Sequence, residues 1–253
     1  MISGRVIYRP LVAVLLALLV SAAVAEPRIA IIIDDLGNLR SAGDRITALD
    51  GPVALAILPH TPAAAYIAGI AHDAGKEVLL HLPLQPIEGA MPMGIGKINL
   101  DNTRDELNRI LAANLASVPY VTGVNTHMGS LLTQHPGHMA WLMGELERNG
   151  NLFFVDSRTT PASVALRVAL EYGVPATSRD VFLDDDLDPR RVAEQFALLK
   201  NRARAQGSAV AIGHPYPVTL ALLERELPRL AAEGIELVAV RELIGDQLVL
   251  AAQ

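Results

Sequence analysis

IAIIIDDLGN, residues 29–38, runs a string of apolar, mostly β-branched residues into two adjacent carboxylates and a Leu-Gly-Asn turn. The apolar part reads as a strand buried on both faces. Two like charges at the end of such a strand repel, and each raises the other's pKa unless something positive lies beside them. Asp34 and Asp35 therefore pose a question that the rest of the chain must answer: a solvated turn with a helix cap, or a place for a cation.

The same arrangement of apolar run, turn and helical stretch repeats along the chain. PVALAIL (52–58), KEVLL (76–80), YVTGVN (120–125), NLFFVD (151–156), DVFL (180–183) and SAVAIG (208–213) are expected strands, and ELVAV (236–240) is a candidate eighth. Helices are expected at 39–49, 62–74, 103–117, 137–148, 161–171, 189–205 and about 217–232. Thr103 and Glu106 have capping-box spacing, Gly75 suits a C-cap, and Pro189 suits a first helical turn. Alternating strands and helices with near-continuous apolar strands indicate a parallel sheet covered by helices. With this many repeats, a distorted (β/α) barrel of about seven parallel strands is expected rather than an open sheet. No G-x-G-x-x-G or Walker-type loop follows any strand, which weakens a nucleotide-binding reading.

The N-terminus is read separately. Arg5 and Arg9 precede the apolar run LVAVLLALLV, and Ala23-Val24-Ala25 fits an A-x-A cleavage site. That is the order of a secretory signal. Its apolar core of about fourteen residues is short of the ~20 that span a bilayer. Residues 1–25 are thus an expected signal peptide and 26–253 a single expected domain, exported to a periplasmic or extracellular compartment, with no stable membrane span after cleavage. Without Arg5 and Arg9, 19 basic residues face 27 acidic ones, a net charge near −8 with no basic run. This argues against nucleic acid as a partner. There is no cysteine, so any metal must be held by histidine and carboxylate.

Potential ligands recur just past the expected strand ends: Asp34 and Asp35, His60, His81, Asn125 and His127, Asp156, Asp184 to Asp186, and His214. In (β/α) barrels that end carries the active site, because the βα loops converge there. His60 precedes a helix start, and Asp156 with Arg158 is expected to orient a neighbour. Asp184 to Asp186 reads as a charge cluster at the start of a helix, stabilised by the helix dipole. His72, His135 and His138 fall in or beside helices and read as surface or capping residues. One carboxylate and two imidazoles suit a zinc-type ion with an open water position. The second aspartate would then take the water's proton, and a histidine from another strand would protonate the leaving group.

These residues resemble a known family. The strand ending in Asp34-Asp35, HLPLQP (81–86), GVNTHMGS (123–130), FFVDSRTT (153–160), RDVFLDDD (179–186) and IGHPYP (212–217) together resemble the divergent polysaccharide deacetylases, relatives of the NodB-type carbohydrate esterases. The resemblance runs from Ile29 to about Val240. It implies a distorted, usually seven-stranded barrel with a divalent metal, expected to be zinc, at the strand C-termini and an acetylated glycan as substrate. By position, Asp34 resembles the catalytic base, Asp35 the metal-binding aspartate, His81 the first metal histidine and His214 the general acid. The ordinary enzymes supply a second metal histidine four residues after the first, where Gln85 stands here. His127 is the substitute, and Asn125, Asp156, Arg158 and His60 are supporting candidates. Two other readings remain: a weakly active or inactive barrel that binds a glycan or envelope protein, and a metal-free glycosidase pairing Asp34 with Asp156 or Asp184.

Overall fold

The structure, a computed structural model, describes residues 26–87 and 94–251. The expected signal segment lies outside the described residues. Among the described residues no helix is long and apolar enough to cross a membrane.

The elements follow in chain order as β1 (Arg28–Leu36), α1 (Arg40–Thr47), β2 (Ala54–Ile57), α2 (Ala64–Asp73), β3 (Val78–Leu84), α3 (Arg104–Ser117) and β4 (Val121–Met128). Next come α4 (Pro136–Asn149), β5 (Phe153–Asp156), α5 (Ala165–Glu171), β6 (Ala176–Ser178), β7 (Val181–Phe182), α6 (Pro189–Gln206), β8 (Ser208–Gly213), α7 (Pro217–Glu226), β9 (Glu236–Leu237) and α8 (Val240–Ala251). Every strand pairing is parallel, in the order β6-β5-β4-β3-β2-β1-β8-β7, with β9 joined to the start of β1.

The two edge strands of that order, β6 and β7, are separated in sequence by Arg179 and Asp180 alone. The three Cα–Cα steps from Ser178 to Val181 span at most ~11 Å, so the sheet must curl until its edges approach each other. Arg179 N donates to Asp156 O at the end of β5, and Asp180 N donates to Val210 O of β8, each at 2.9 Å. The result is a distorted, incompletely closed barrel, with β6 and β7 together filling one strand position. The expected barrel of about seven strands is the architecture observed.

Period-two alternation divides the side chains between two cores. Ile29, Ile31 and Ile33 face the surrounding helices, whereas Ala30 and Ile32 join Ala54, Ala56, Leu79, Phe153, Val155, Val210 and Ile212 inside. Gly123 is required there: a Cβ on it would stand 2.5 Å from the ring of Phe153 on the neighbouring strand. The strands' N-terminal end is plugged by Val238, Val240, Leu243 and Ile244. The candidate eighth strand at 236–240 thus shrinks to the two residues of β9, and Val240 opens a helix.

Other expectations shift for local reasons. The capping box of α3 forms both of its bonds. Gly150, at φ 73°, caps α4 in the left-handed region. The helix expected to reach residue 232 ends at Glu226, because Pro228 follows and the chain continues as two 3-10 turns.

Candidate metal centre

The inward parity of each strand decides what reaches its C-terminal end. Asp34 follows Ala30 and Ile32 and points inward; His81 follows Leu79 and His127 follows Gly123 on the same face. An ideal strand would turn Asp35 the other way. The β1–β2 register shifts between Ile33 and Leu36, so that three steps along β1 match two along β2. Asp35 itself sits at φ 59°, the left-handed region that Asp tolerates better than most residues. This bulge swings Asp35 to the side of Asp34 and returns Leu36 to the helix-facing core. Both aspartates thereby reach one site.

There Asp35 Oδ1 lies 2.9 Å from His127 Nδ1 and 3.1 Å from His81 Nε2, and these two nitrogens are 3.1 Å apart. Asp35 Oδ1 is buried, yet it accepts no hydrogen bond of good geometry. Zinc ligand atoms stand ~2.0–2.2 Å from the ion, which places ligand atoms of one ion about 3 Å apart. The triangle of one carboxylate oxygen and two imidazole nitrogens, with an orphaned oxygen at its corner, fits a divalent cation. Asp35, His81 and His127 are the group among the described residues that could hold one.

Around the triangle the contacts are directional. Asn125 lies directly opposite His81 on β4. Its Oδ1 is 2.9 Å from His81 Nδ1, so that nitrogen carries the proton and Nε2 is left as the ligand atom. Asn125 Nδ2 donates to Asp34 Oδ1 at 2.6 Å. Burial raises the pKa of Asp34, against the opposing pull of His81, His214 and Asn125. Burial also pushes Asp35 upward, but the imidazoles of His127 and His81 outweigh it and hold that carboxyl well below the usual carboxylate range. For His81, burial would lower the pKa; the charge of Asp34 and the contact with Asp35 reverse this and push it up to about 9.

His214, after β8, approaches from the opposite side, with Nε2 3.7 Å from Asp35 Oδ2. Asp184 fixes it: Oδ1 pairs with His214 Nδ1 at 2.9 Å, while Oδ2 accepts from His214 N at 2.6 Å and Thr219 Oγ1 at 2.7 Å. Burial lowers the His214 pKa, but the hydrogen bond that its ring donates to Asp184 and the charge of Asp34 leave it raised.

The supporting candidates divide. Asn125 belongs to the site. Asp156 follows Phe154 on the helix-facing parity, and its carboxylate accepts from Ser163 Oγ and Arg158 N. It shapes the turn after β5. The Arg158 side chain is exposed. Arg179, which the sequence reading did not single out, lies closer to the site: its guanidinium donates to the carbonyls of Ser157 and Arg158, lies over Phe182, and adds positive charge near Asp34. His60 stays outside the triangle, bonded to Asn114 Oδ1 at 2.9 Å. Gln85, at the ordinary second-histidine position, instead pins its loop by accepting from Leu100 N through Oε1.

Asp184 corrects the sequence expectation of a charge cluster at a helix start. Asp188 is the residue that caps α6, through Arg190 N, and Asp184 is buried against His214. Asp156, on the helix-facing parity, is bonded to Ser163 and Arg158 N, and Asp184 is bonded to His214 and Thr219, so both carboxyls considered as partners for Asp34 have hydrogen-bond partners of their own. Backbone strain concentrates on the same end of the sheet. Asp35, His60, Met128 and Arg158 have positive φ at or just after the ends of β1, β2, β4 and β5, as strained conformations do at functional sites.

Comparison with known proteins places the chain. The family model for divergent polysaccharide deacetylase matches residues 31–244. The uncharacterized protein YibQ of Escherichia coli (strain K12) is 37% identical over 234 residues, covering 92% of this chain and 72% of that protein. Among solved structures, the uncharacterized protein ATU2773 from Agrobacterium tumefaciens C58 superposes with TM-score 0.82 at 21% identity, covering 88% of this chain and 91% of the other. The catalytic domain of peptidoglycan N-acetylglucosamine deacetylase from Eubacterium rectale ATCC 33656 superposes with TM-score 0.51 at 12% identity, covering 85% and 89%. At these identities the structural likeness shows the fold, a curled parallel sheet of the NodB type. The chain belongs to the divergent polysaccharide deacetylase family.

Proposed function

We propose that this chain is an exported, zinc-dependent hydrolase that removes acetyl groups from an envelope polysaccharide or related glycan. The observation that carries the reading is the Asp35–His81–His127 triangle with its orphaned carboxylate oxygen. The n-region, apolar core and A-x-A site within residues 1–25 support export.

A divalent ion held by that triangle supplies a Lewis acid and lowers the pKa of water toward neutrality. The chain's own groups handle the protons. Asp34, held by Asn125 and made more basic by burial, accepts a proton from the attacking water. The water oxygen bonds to the acyl carbon as the bond to the sugar nitrogen or oxygen breaks. His214, oriented by Asp184, gives its proton to that leaving atom. The products are acetate and a free amine or hydroxyl.

The test is elemental analysis of the purified protein beside Asp35→Ala and His127→Ala, together with acetate release from N-acetylated glycans. About one equivalent of zinc, lost in both variants along with turnover, is the expected result. No bound metal after incubation with divalent ions sinks the hydrolase mechanism and favours a binding barrel.

A further inference from the structure

A cleft of about 420 Å³ opens beside the triangle, with His127 in its wall. The loops after β2 and β3 supply the rest, mainly as apolar surface from Leu58, Pro59, Pro62, Pro83 and Ile95. No Asp, Glu, Lys, Arg, Phe, Tyr or Trp is among the described lining residues. Most of the polar groups present are already engaged. Thr61 Oγ1 donates to Leu58 O at 2.8 Å, and His60 Nε2 lies 2.9 Å from Asn114 Oδ1.

The walls are anchored to α3. His60, at φ 57°, also donates its backbone N–H to Ser117 Oγ at 3.1 Å. The fully buried Asn114 donates to Gly96 O at 2.8 Å, next to Ile95. Gly96 is required at that contact: it has φ 80°, and a Cβ on it would lie 2.0 Å from Asn114 Oδ1. The cleft is therefore formed in advance, with Ile95 68% exposed at its mouth.

Its volume falls in the ~300–1,000 Å³ range that holds whole organic ligands, far more than the methyl of an acetyl group needs. Among the described lining residues a charged group would find no Asp, Glu, Lys or Arg, and only Asn38, His60, Thr61 and His127 as polar side chains. A sugar ring would leave most of its hydroxyls without replacements for their water hydrogen bonds, and no aromatic platform is among the described lining residues. A flexible hydrocarbon chain has no hydrogen bonds to replace there, and the removal of its surface from water opposes the entropy lost on ordering it.

We propose that this cleft receives the acyl chain of the substrate, so that the substrate class is a sugar bearing an N- or O-acyl group longer than acetyl. This rests on the hydrolase reading and extends its acyl range. The acyl carbonyl faces Asp35, His81 and His127 while the chain runs along Leu58, Pro62 and Ile95. Hydrolysis then releases a longer carboxylic acid and the free amine or hydroxyl of the sugar.

The experiment compares N-hexanoyl-glucosamine with N-acetyl-glucosamine on the zinc-loaded full chain, by calorimetric binding and by turnover. Each buried CH₂ is worth about fourfold in affinity, so the hexanoyl compound is expected to bind at least tenfold tighter. Ile95→Asp, at an exposed position that the fold tolerates, and Leu58→Trp, which fills the cleft, should each remove most of that preference. Equal affinity for the two sugars overturns the proposal, as does a preference that neither substitution changes. Tighter binding of an N-acetylated disaccharide than of the hexanoyl sugar also overturns it and makes the cleft a sugar subsite. Turnover without chain-length preference removes this inference and leaves the hydrolase; chain-dependent binding without turnover keeps the cleft and removes the hydrolase.

Discussion

The two ends of the curled sheet handle charge in opposite ways. At the N-terminal end, charged side chains are spent on backbone groups and on each other. Glu77 accepts from Val240 N and Arg241 N at the start of α8, at 2.7 and 3.1 Å. Arg241 reaches across to the carbonyls of Thr122 and Asn151, and Lys76 donates to those of Leu49 and Gly51. Below them the plug of Val240, Leu243 and Ile244 seals the interior. At the C-terminal end, Asp34 and Asp35 are brought together by a bulge and a left-handed residue, and Asp35 Oδ1 is left orphaned. Satisfied charge stabilises a fold, whereas buried charge left unsatisfied costs stability. Burial costs charge at both ends, but at the N-terminal end Glu77 and Lys76 have backbone partners, whereas Asp35 Oδ1 has none, and that orphaned oxygen points to the C-terminal end as the working one.

The largest expected effect that separates the ends is at Asp34. Asp34→Asn retains the shape and an oxygen that can accept from Asn125, but it cannot take a proton at neutral pH. Acetate release should fall about 100- to 10,000-fold. Thermal stability should hold or rise, because a buried carboxylate with a raised pKa has been removed. Kinetics beside a melting curve checks this. A loss of stability equal to that of a core truncation would make Asp34 structural and erase the contrast.

A smaller effect is expected one step from the reacting atoms. Asp184 acts through His214, so Asp184→Asn leaves the metal triangle intact and disturbs only the orientation and tautomer of the imidazole. The expected result is a decrease in kcat of about 10- to 100-fold, the range for groups that orient a functional side chain. KM should change little and zinc content should stay at one equivalent. Loss of zinc in this variant would show that Asp184 supports the whole end rather than His214.

Most of the fold was legible because its signals are local. Buried parallel strands announce themselves as apolar runs, and each ends where a polar residue or turn begins, which also put Asp34, Asp35, His81, His127 and His214 on one end. What stayed hidden depends on distant contacts. Nothing within DVFLDDDLD (180–188) separates Asp184, buried by His214 and Thr219, from Asp188, which caps a helix. The three- and two-residue strands β6 and β7 are too short to show a period, and only closure of the sheet explains them. Period-two counting places Asp34 and Asp35 on opposite faces, and the bulge that unites them exists only against β2. One miss was avoidable: Val240, Leu243 and Ile244 have the i, i+3, i+4 spacing of a helix, yet the apolar run before them reads as a strand. The roles of base, ligand and acid came from the family resemblance and not from spacing.

The smallest expected effect lies at the other end, at Glu77. Glu77→Ala removes two acceptors from the first turn of α8, a loss of about 1–2 kcal/mol. Melting should fall by about 2–8 °C, with kinetics and zinc content unchanged. The pH dependence tests the balance of forces at this cap. Burial raises the Glu77 pKa, outweighing the two backbone N–H groups that favour its charge. Between the unfolded value and the raised folded value, the folded state binds more protons than the unfolded state, so this contribution to stability declines as pH rises. The wild type's advantage over Glu77→Ala should therefore be greater near pH 4 than at pH 7, measured by urea unfolding at both. An advantage that grows with pH would mean that the hydrogen bonds of the cap outweigh its burial. An accompanying fall in turnover would mean that the plug and the metal triangle are coupled through the barrel, and that the two ends are not independent.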